Sequence, residues 1–309
     1  MSVDTQAPRA EPLFSVVVPT YGRPEQLVAC VRSLARLDYS RRSFEIVIVD
    51  DGSPESPEEA VRSVDPDLSL RVVRQENAGP AMARNHGARL ARGRYVAFVD
   101  DDCRPRESWL RALEGALEDD PESLVGGRIE NALSRNLCSE ASQLLVSFLY
   151  EYFDGSAGRP RMFCSNNLAL ARARFLESGG FDESMRRAAA EDRELCDRWH
   201  FRGKQLRYVE DAVVDHHHRM GLRKYWRQHF NYGRGAYLFH RIRQRDQRGA
   251  LRPEPPSFYV RLLTYPLRRG LWPRNWALSA LLFIAQVANV GGFAAELRAA
   301  RHDEATAGG

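Results

Sequence analysis

The chain reads as an α/β protein, a mostly parallel sheet flanked by helices, and three observations predict this. Two apolar runs, Phe44 to Val49 and Tyr95 to Val99, each end in acidic residues: Asp50-Asp51-Gly52-Ser53-Pro54 after the first and Asp100-Asp101-Asp102 after the second. An earlier run, Phe14 to Val18, ends in Pro19-Thr20-Tyr21-Gly22-Arg23-Pro24. Between the runs starting at Phe14 and Phe44, Glu25 to Leu37 carries Leu27, Val31 and Leu34 at helical spacing. Alternation of strand, helix and strand argues for parallel βαβ units. Parallel strands bring their C-terminal ends to one edge, where open α/β sheets hold ligands, so Tyr21, Asp51 and Asp102 should meet there.

Each element has its own local reason. Short apolar runs bounded by turn residues read as buried strands, and Pro24 stands where a first-turn proline is tolerated. The three adjacent carboxylates of Asp100, Asp101 and Asp102 repel one another, so a compensating cation is expected nearby. Their oxygens suit a hard divalent ion, Mg²⁺ or Mn²⁺, of the kind that shares its shell with substrate phosphates. A solvated acidic turn is the alternative for the triplet taken alone. Further along, Asp192 to Arg202 reads as a helix with Leu195 and Trp199 on one face, and Tyr208 to Asp215 as a strand running into His216-His217-His218.

The motifs Pro19–Pro24, Val49-Asp50-Asp51-Gly52-Ser53, Asn77-Ala78-Gly79-Pro80-Ala81-Met82-Ala83-Arg84-Asn85 and Phe98-Val99-Asp100-Asp101-Asp102 occur in that order. Together they resemble the nucleotide-sugar half of the family 2 glycosyltransferases, which share the GT-A fold. Asn166-Asn167-Leu168-Ala169, Gly179-Gly180-Phe181-Asp182-Glu183 and Glu191-Asp192-Arg193-Glu194-Leu195-Cys196 resemble that family's acceptor half. The match covers roughly residues 13–218. The resemblance implies an inverting transfer of a sugar from a nucleoside diphosphate, UDP by the family's habit, to an acceptor hydroxyl of a glycan or lipid-linked acceptor.

Residue roles follow from the same resemblance. Pro19 and Tyr21 would lie at the donor, with the Tyr21 ring against the nucleobase. Asp51 would accept a hydrogen bond from the base, and Arg84 would lie near the base or diphosphate. Asp100 and Asp102 bracket the D-x-D pattern; Asp102 would ligate the metal, with Asp101 or Asp100 reaching the ribose. Asn166 and Phe181 would meet the acceptor. The Glu191-Asp192 pair would supply the base, Asp192 foremost, for a hydroxyl that needs one as it bonds to the anomeric carbon. His216 best fits the histidine that completes the metal site or donates to the diphosphate.

Composition bounds the alternatives. At 309 residues the chain suffices for one large or two modest domains. Five scattered cysteines form no C-x-x-C pair, which argues against zinc and for reduced thiols on a cytoplasmic face. Met1 to Pro12 has no apolar core, so no signal peptide is expected. Residues 219–274 hold fourteen Lys/Arg against Asp246 and Glu254, a local charge of +12 that leaves −8 elsewhere, and they are rich in Tyr, Trp and Phe. Such a segment suits nucleic acid or an anionic membrane. The uncharged run Asn275 to Ala295, about 31 Å long as a helix, decides for the membrane surface and against nucleic acid, although a buried packing helix or an interfacial hairpin would also use it. The expected order is therefore a disordered tail (1–12), a GT-A domain (13–218), a basic aromatic region (219–274), a membrane-associated or spanning helix (275–295) and a tail (296–309). A carbohydrate-binding protein on a degenerate transferase fold and a sugar nucleotidyltransferase are the competing functions, neither of which needs the Glu191-Asp192 pair. A NAD enzyme is disfavoured because no G-x-G-x-x-G follows the first strand.

Overall fold

The structure, a computed structural model, describes residues 11–154, 162–185, 189–249 and 254–307. The expected N-terminal tail lies outside the described residues as far as residue 10, as does Ala188 in the alanine run before Glu191. The strands are β1 (Phe14–Thr20), β2 (Phe44–Asp50), β3 (Leu70–Arg74), β4 (Tyr95–Phe98), β5 (Cys103–Pro105), β6 (Leu124–Asn131), β7 (Leu168–Ala171) and β8 (Leu206–His216). The helices are α1 (Pro24–Leu34), α2 (Glu58–Arg62), α3 (Pro80–Leu90), α4 (Trp109–Asp119), α5 (Leu137–Asp154), α6 (Arg172–Glu177), α7 (Glu191–Phe201), α8 (Leu222–Arg245), α9 (Pro256–Thr264) and α10 (Pro273–Ala307).

The strands form one sheet in the order β3-β2-β1-β4-β7-β6-β8-β5. The first four are parallel, and β7 then pairs antiparallel with both β4 and β6. Strand alternation sends Val16, Val18, Ile46 and Ile48 to one face, against Leu27, Val31 and Trp109. Val17, Val47, Val49 and Phe98 go to the other, against Ala83, Ala88, Phe175 and Trp199. Both faces are covered, which is why these strands read as continuous apolar runs rather than alternating ones. β1, β2 and β4 all point their C-terminal ends the same way, so Thr20, Asp50 and Val99 open on one edge.

The C-terminal segment is helical and packs on the sheet domain through α5. Ala141, Leu144 and Phe148 share a core with Met220 and Tyr225, Phe258 and Leu262 of α9, and Leu278, Leu282 and Ala285 of α10. The apolar helix is longer than its uncharged run, 35 residues from Pro273 to Ala307, so the expected tail 296–309 is helical as far as Ala307. By length and composition its Pro273–His302 part is long and apolar enough to cross a membrane, with mean hydropathy 1.7 over its most apolar 18 residues.

Candidate active site

At the donor edge, Asp51 follows β2 and its N–H donates to the Thr20 carbonyl at 2.9 Å, tying the ends of β1 and β2 together. Its buried carboxylate accepts from Gln75 Nε2 at 2.8 Å and from the N–H groups of Ala78 and Gly79 at 2.9 Å each. Asp51 therefore anchors the turn that leads into α3. A carboxylate offers about four lone-pair sites, so room remains for another donor. Tyr21 stands beside it, 51% exposed, and Pro19 is buried within β1 opposite Val49.

The three aspartates diverge. Asp101 turns inward, accepting from Thr20 Oγ1 at 2.7 Å and facing Arg23 Nη1 at 3.3 Å. Burial pushes its pKa up to about 7 despite Arg23, with Asp102 adding. Asp102 meets Arg23 Nη1 at 2.9 Å and His216 Nε2 at 3.4 Å. Burial opposes its ionisation, yet the histidine and Arg23 hold its pKa well below the usual carboxylate range. The contact with His216 has a local cause: Asp102 immediately precedes β5, whose Cys103 pairs with His216 of β8, and the His217 N–H donates to the Asp102 carbonyl at 2.8 Å. Ligand atoms of Asp102, Cys103 and His216 lie within 4.8 Å of one another. Burial keeps the Cys103 thiol protonated, so carboxylate and imidazole are the available donors, a pair that suits Mn²⁺. His218 stacks on His216 with ring centroids 5.0 Å apart, and burial lowers its pKa to about 3.

Asp100 points toward the opposite side. Arg84 of α3, buried among protein atoms, donates from Nη2 to Asp100 Oδ1 at 2.6 Å and from Nη1 to Glu191 Oε1 at 2.9 Å. Its guanidinium lies 5.6 Å from the centre of the Phe181 ring. Glu191 opens α7 after Ala190, whose left-handed φ of 69° turns the chain into the helix. Burial and the adjacent Asp192 raise Glu191 to about 7 against the pull of Arg84. Asp192 accepts from the N–H of Ser165 at 3.3 Å and of Arg193 at 2.7 Å, and burial raises its pKa as well. The next residue, Asn166, donates to Cys103 Sγ at 3.5 Å, while its buried Oδ1 has no hydrogen-bond donor among the described residues.

The expected residues thus form a near-continuous circuit through Thr20, Asp101, Asp102 and His216 on one side, and Asp100, Arg84, Glu191, Asp192 and Asn166 on the other. Phe181 is a correction to the expected acceptor contact. It is 1% exposed, packed on Phe98 and Phe175 beneath Arg84, because its apolar ring is worth more in that aromatic cluster than at a polar surface. Arg23, beside Asp101 and Asp102, shares with Arg84, beside Asp100, the charge compensation that the acidic triplet required; its place in the Pro19–Pro24 motif was the available signal. Tyr232 of α8 had no such signal. Its phenol is pushed up by burial and by the charges around Cys164, Asp192 and Glu191, and it accepts from Gln228 Nε2 at 3.0 Å.

Comparison with known proteins gives the family and the fold. The family model described as glycosyl transferase family 2 matches residues 15–180. Chondroitin synthase of Escherichia coli is 28% identical over 236 residues, spanning 66% of this chain and 34% of that protein. Pre-mycofactocin glycosyltransferase of Mycobacterium tuberculosis (strain H37Rv) is 32% identical over 218 residues, 66% of this chain and 44% of that one. The chain thus spans about a third to a half of the length of these relatives. Among solved structures, mannosyltransferase PcManGT of Pyrobaculum calidifontis, in complex with GDP-Man and Mn²⁺, superposes with TM-score 0.62 at 20% identity, covering 91% of this chain and 87% of that one. Residues 1–349 of S. aureus TarS in complex with UDP-GlcNAc give TM-score 0.55 at 16% identity, covering 94% and 92%. Both likenesses are of fold.

Proposed function

Because the chain belongs to glycosyl transferase family 2, we propose that it transfers a sugar from a nucleoside diphosphate to an acceptor hydroxyl with inversion, in the synthesis of a cell-surface glycan or glycolipid. The observation that carries this reading is the ion-pair relay Asp100–Arg84–Glu191, which joins the edge of the parallel strands to the start of α7. A protein that only bound sugars would have no use for an acidic pair of raised pKa set beside a cation.

In this mechanism Tyr21 stacks on the base and Asp51, held by the turn before α3, accepts from it, which favours UDP. Pro19 shapes the strand end beneath them. Asp100, whose side chain is 29% exposed, reaches the ribose, while Asp101 holds Thr20 and Arg23 in place. Asp102 and His216 would hold Mn²⁺ or Mg²⁺, which when bound offsets the negative charge that grows on the diphosphate. Arg23 and Arg84 set a fixed positive field near the same charge. Asp192, its oxygens oriented by the Ser165 and Arg193 N–H groups, takes the acceptor proton, with Asn166 positioned to contact the acceptor. Its raised pKa makes it a stronger proton acceptor than an ordinary aspartate. GDP-Man with Mn²⁺ in one structural neighbour and UDP-GlcNAc in the other support a nucleotide-sugar donor of this class. The basic, aromatic C-terminal region and the five free cysteines support a location on the cytoplasmic face of a membrane.

The test is nucleotide release from a panel of UDP-, GDP- and dTDP-sugars, with Mn²⁺ and with EDTA. Release from UDP-sugars with Mn²⁺, abolished by EDTA and by Asp102→Asn, is expected. Full turnover in excess EDTA would overturn the metal assignment, and no release from any sugar nucleotide would overturn the activity.

A further inference from the structure

The large apolar residues exposed on α10 are not scattered. Trp276 is 55% exposed, Phe283 57%, Val287 44% and Val290 70%. At about 100° per residue these four fall within an arc of about 60°, a single stripe about 21 Å long. Leu271 and Trp272, both more than 70% exposed, extend it just before the helix begins. Leu278, Leu282, Ala285 and Ala288 occupy the opposite side and are buried. Only 28% of the most apolar window of the helix is buried, so α10 is not an ordinary core helix.

Nor does its packing suit a span. α8 runs beside α10 in the same direction: Tyr225 donates to the Leu281 carbonyl at 3.0 Å, Tyr237 meets Phe293 at 5.5 Å, and Arg234 pairs with Glu296. A helix crossing the hydrocarbon would carry Arg223, Lys224, Arg227 and Arg234 of α8 with it, and intramembrane cations are costly and rare.

We propose that α10 lies flat in the surface of an anionic bilayer, with its outer stripe among the acyl chains and its inner face kept on α5 and α8. The occupant follows from charge and residue type. Trp272 and Trp276 at one end of the stripe are residues that settle at headgroup depth. Arg268, Arg269 and Arg274 lie close in sequence to that end with side chains half exposed or more; they stand 3.9–4.0 Å from Glu151 and Glu140 of α5, and Arg274 also donates to the Ser134 carbonyl. A second copy docked through the stripe would bring its own arginines to the same edge, whereas anionic headgroups neutralise them. This deepens the membrane placement proposed above but needs no transfer activity, so vesicle binding and nucleotide release can fail separately.

The experiment is flotation of the full chain with vesicles of phosphatidylcholine, with and without a quarter phosphatidylglycerol. The protein should float with the anionic vesicles, and Trp276→Glu/Phe283→Glu should weaken this by about tenfold or more. Both sites are exposed, so nucleotide release and circular dichroism should be unchanged; were that pair to misfold, Val290→Glu makes the same test. In the unaltered protein, lipids brominated near the carbonyl should quench tryptophan fluorescence more than lipids brominated near the methyl end. Failure to float, or equal flotation of the folded double variant, would overturn the proposal. So would resistance of the membrane-bound protein to alkaline carbonate, which marks a span. A dimer that Trp276→Glu dissociates, without any vesicle binding, would assign the stripe to a second copy.

Discussion

Asp192 and Glu191 are neighbours with opposite surroundings, and that difference assigns their work. Glu191 is committed to Arg84, whereas Asp192 is partly exposed and, among the described residues, is hydrogen-bonded to backbone N–H groups alone. Asp192→Asn keeps size and shape but cannot take a proton, so kcat should fall on the order of 10²–10⁴ while donor affinity, read by tryptophan fluorescence, stays constant. Wild-type turnover would remove it as the base. Glu191 makes a different prediction, about stability. Its pKa is raised from about 4.5 to about 7 on folding, so between those values the native state holds a proton that the unfolded chain releases. Its contribution is complete below pH 4.5 and lost as pH rises through 7, so it makes the fold less stable at pH 8 than at pH 5. Glu191→Gln mimics the protonated acid, so it should leave the Tm near pH 5 little changed, raise it relative to wild type at pH 8 and flatten the Tm profile between those values; an unchanged slope would refute the shift. The acidic residues were legible in the sequence because carboxylates at strand ends are local facts. The relay through Arg84 was not, because a pairing across 107 residues leaves no spacing to read.

Elements divide the same way. β1, β2 and β4 were legible because both their faces are buried, and their observed bounds differ from the sequence reading by at most a couple of residues. α1 stops at Leu34 rather than Leu37, and α7 starts at Glu191 rather than Asp192. β6 escaped because Gly126 and Gly127 break any strand pattern. The structure needs them, since a Cβ on Gly126 would lie 2.0 Å from the Phe163 ring. The pairing of α8 with α10 is equally silent, because it rests on near contact of two backbones. A Cβ on Gly292 would fall 1.8 Å from the Phe230 carbonyl oxygen, a backbone atom that cannot swing aside. Gly292→Val should therefore cost about 1–3 kcal/mol or more by overpacking. Thermal melting should show a Tm loss of several degrees, and an unchanged Tm would mean that the two helices are not in this contact.

At the scale of the molecule, the negative charge gathers at the site edge and the positive charge in the C-terminal helices, yet the two regions are not separable. Sequence composition draws a border near residue 218, where acidic motifs give way to basic aromatic ones. Packing ignores that border, because Leu144 and Phe148 of α5 share their core with Phe258, Leu262, Leu278 and Leu282. Arg248, just past α8, also reaches back to Glu194 and Asp197 of α7 at 2.8 and 2.9 Å, so the helix that carries the acidic pair is braced from the C-terminal side. A chain cut before Pro273 would keep every residue of the site but expose the apolar surface of α5, α8 and α9 that α10 covers. Burial of each such Leu or Phe is worth about 1.5–3 kcal/mol, against a total stability of about 5–15 kcal/mol, so losing several of these contacts is severe. The truncated chain should aggregate or bind the dye ANS strongly rather than emerge as a soluble, active sheet domain, and size-exclusion chromatography reads the difference. A monodisperse truncated protein that releases nucleotide at the full rate would show that α10 is an appendage, and the shared core of α5, α9 and α10 would then contribute little to holding the site.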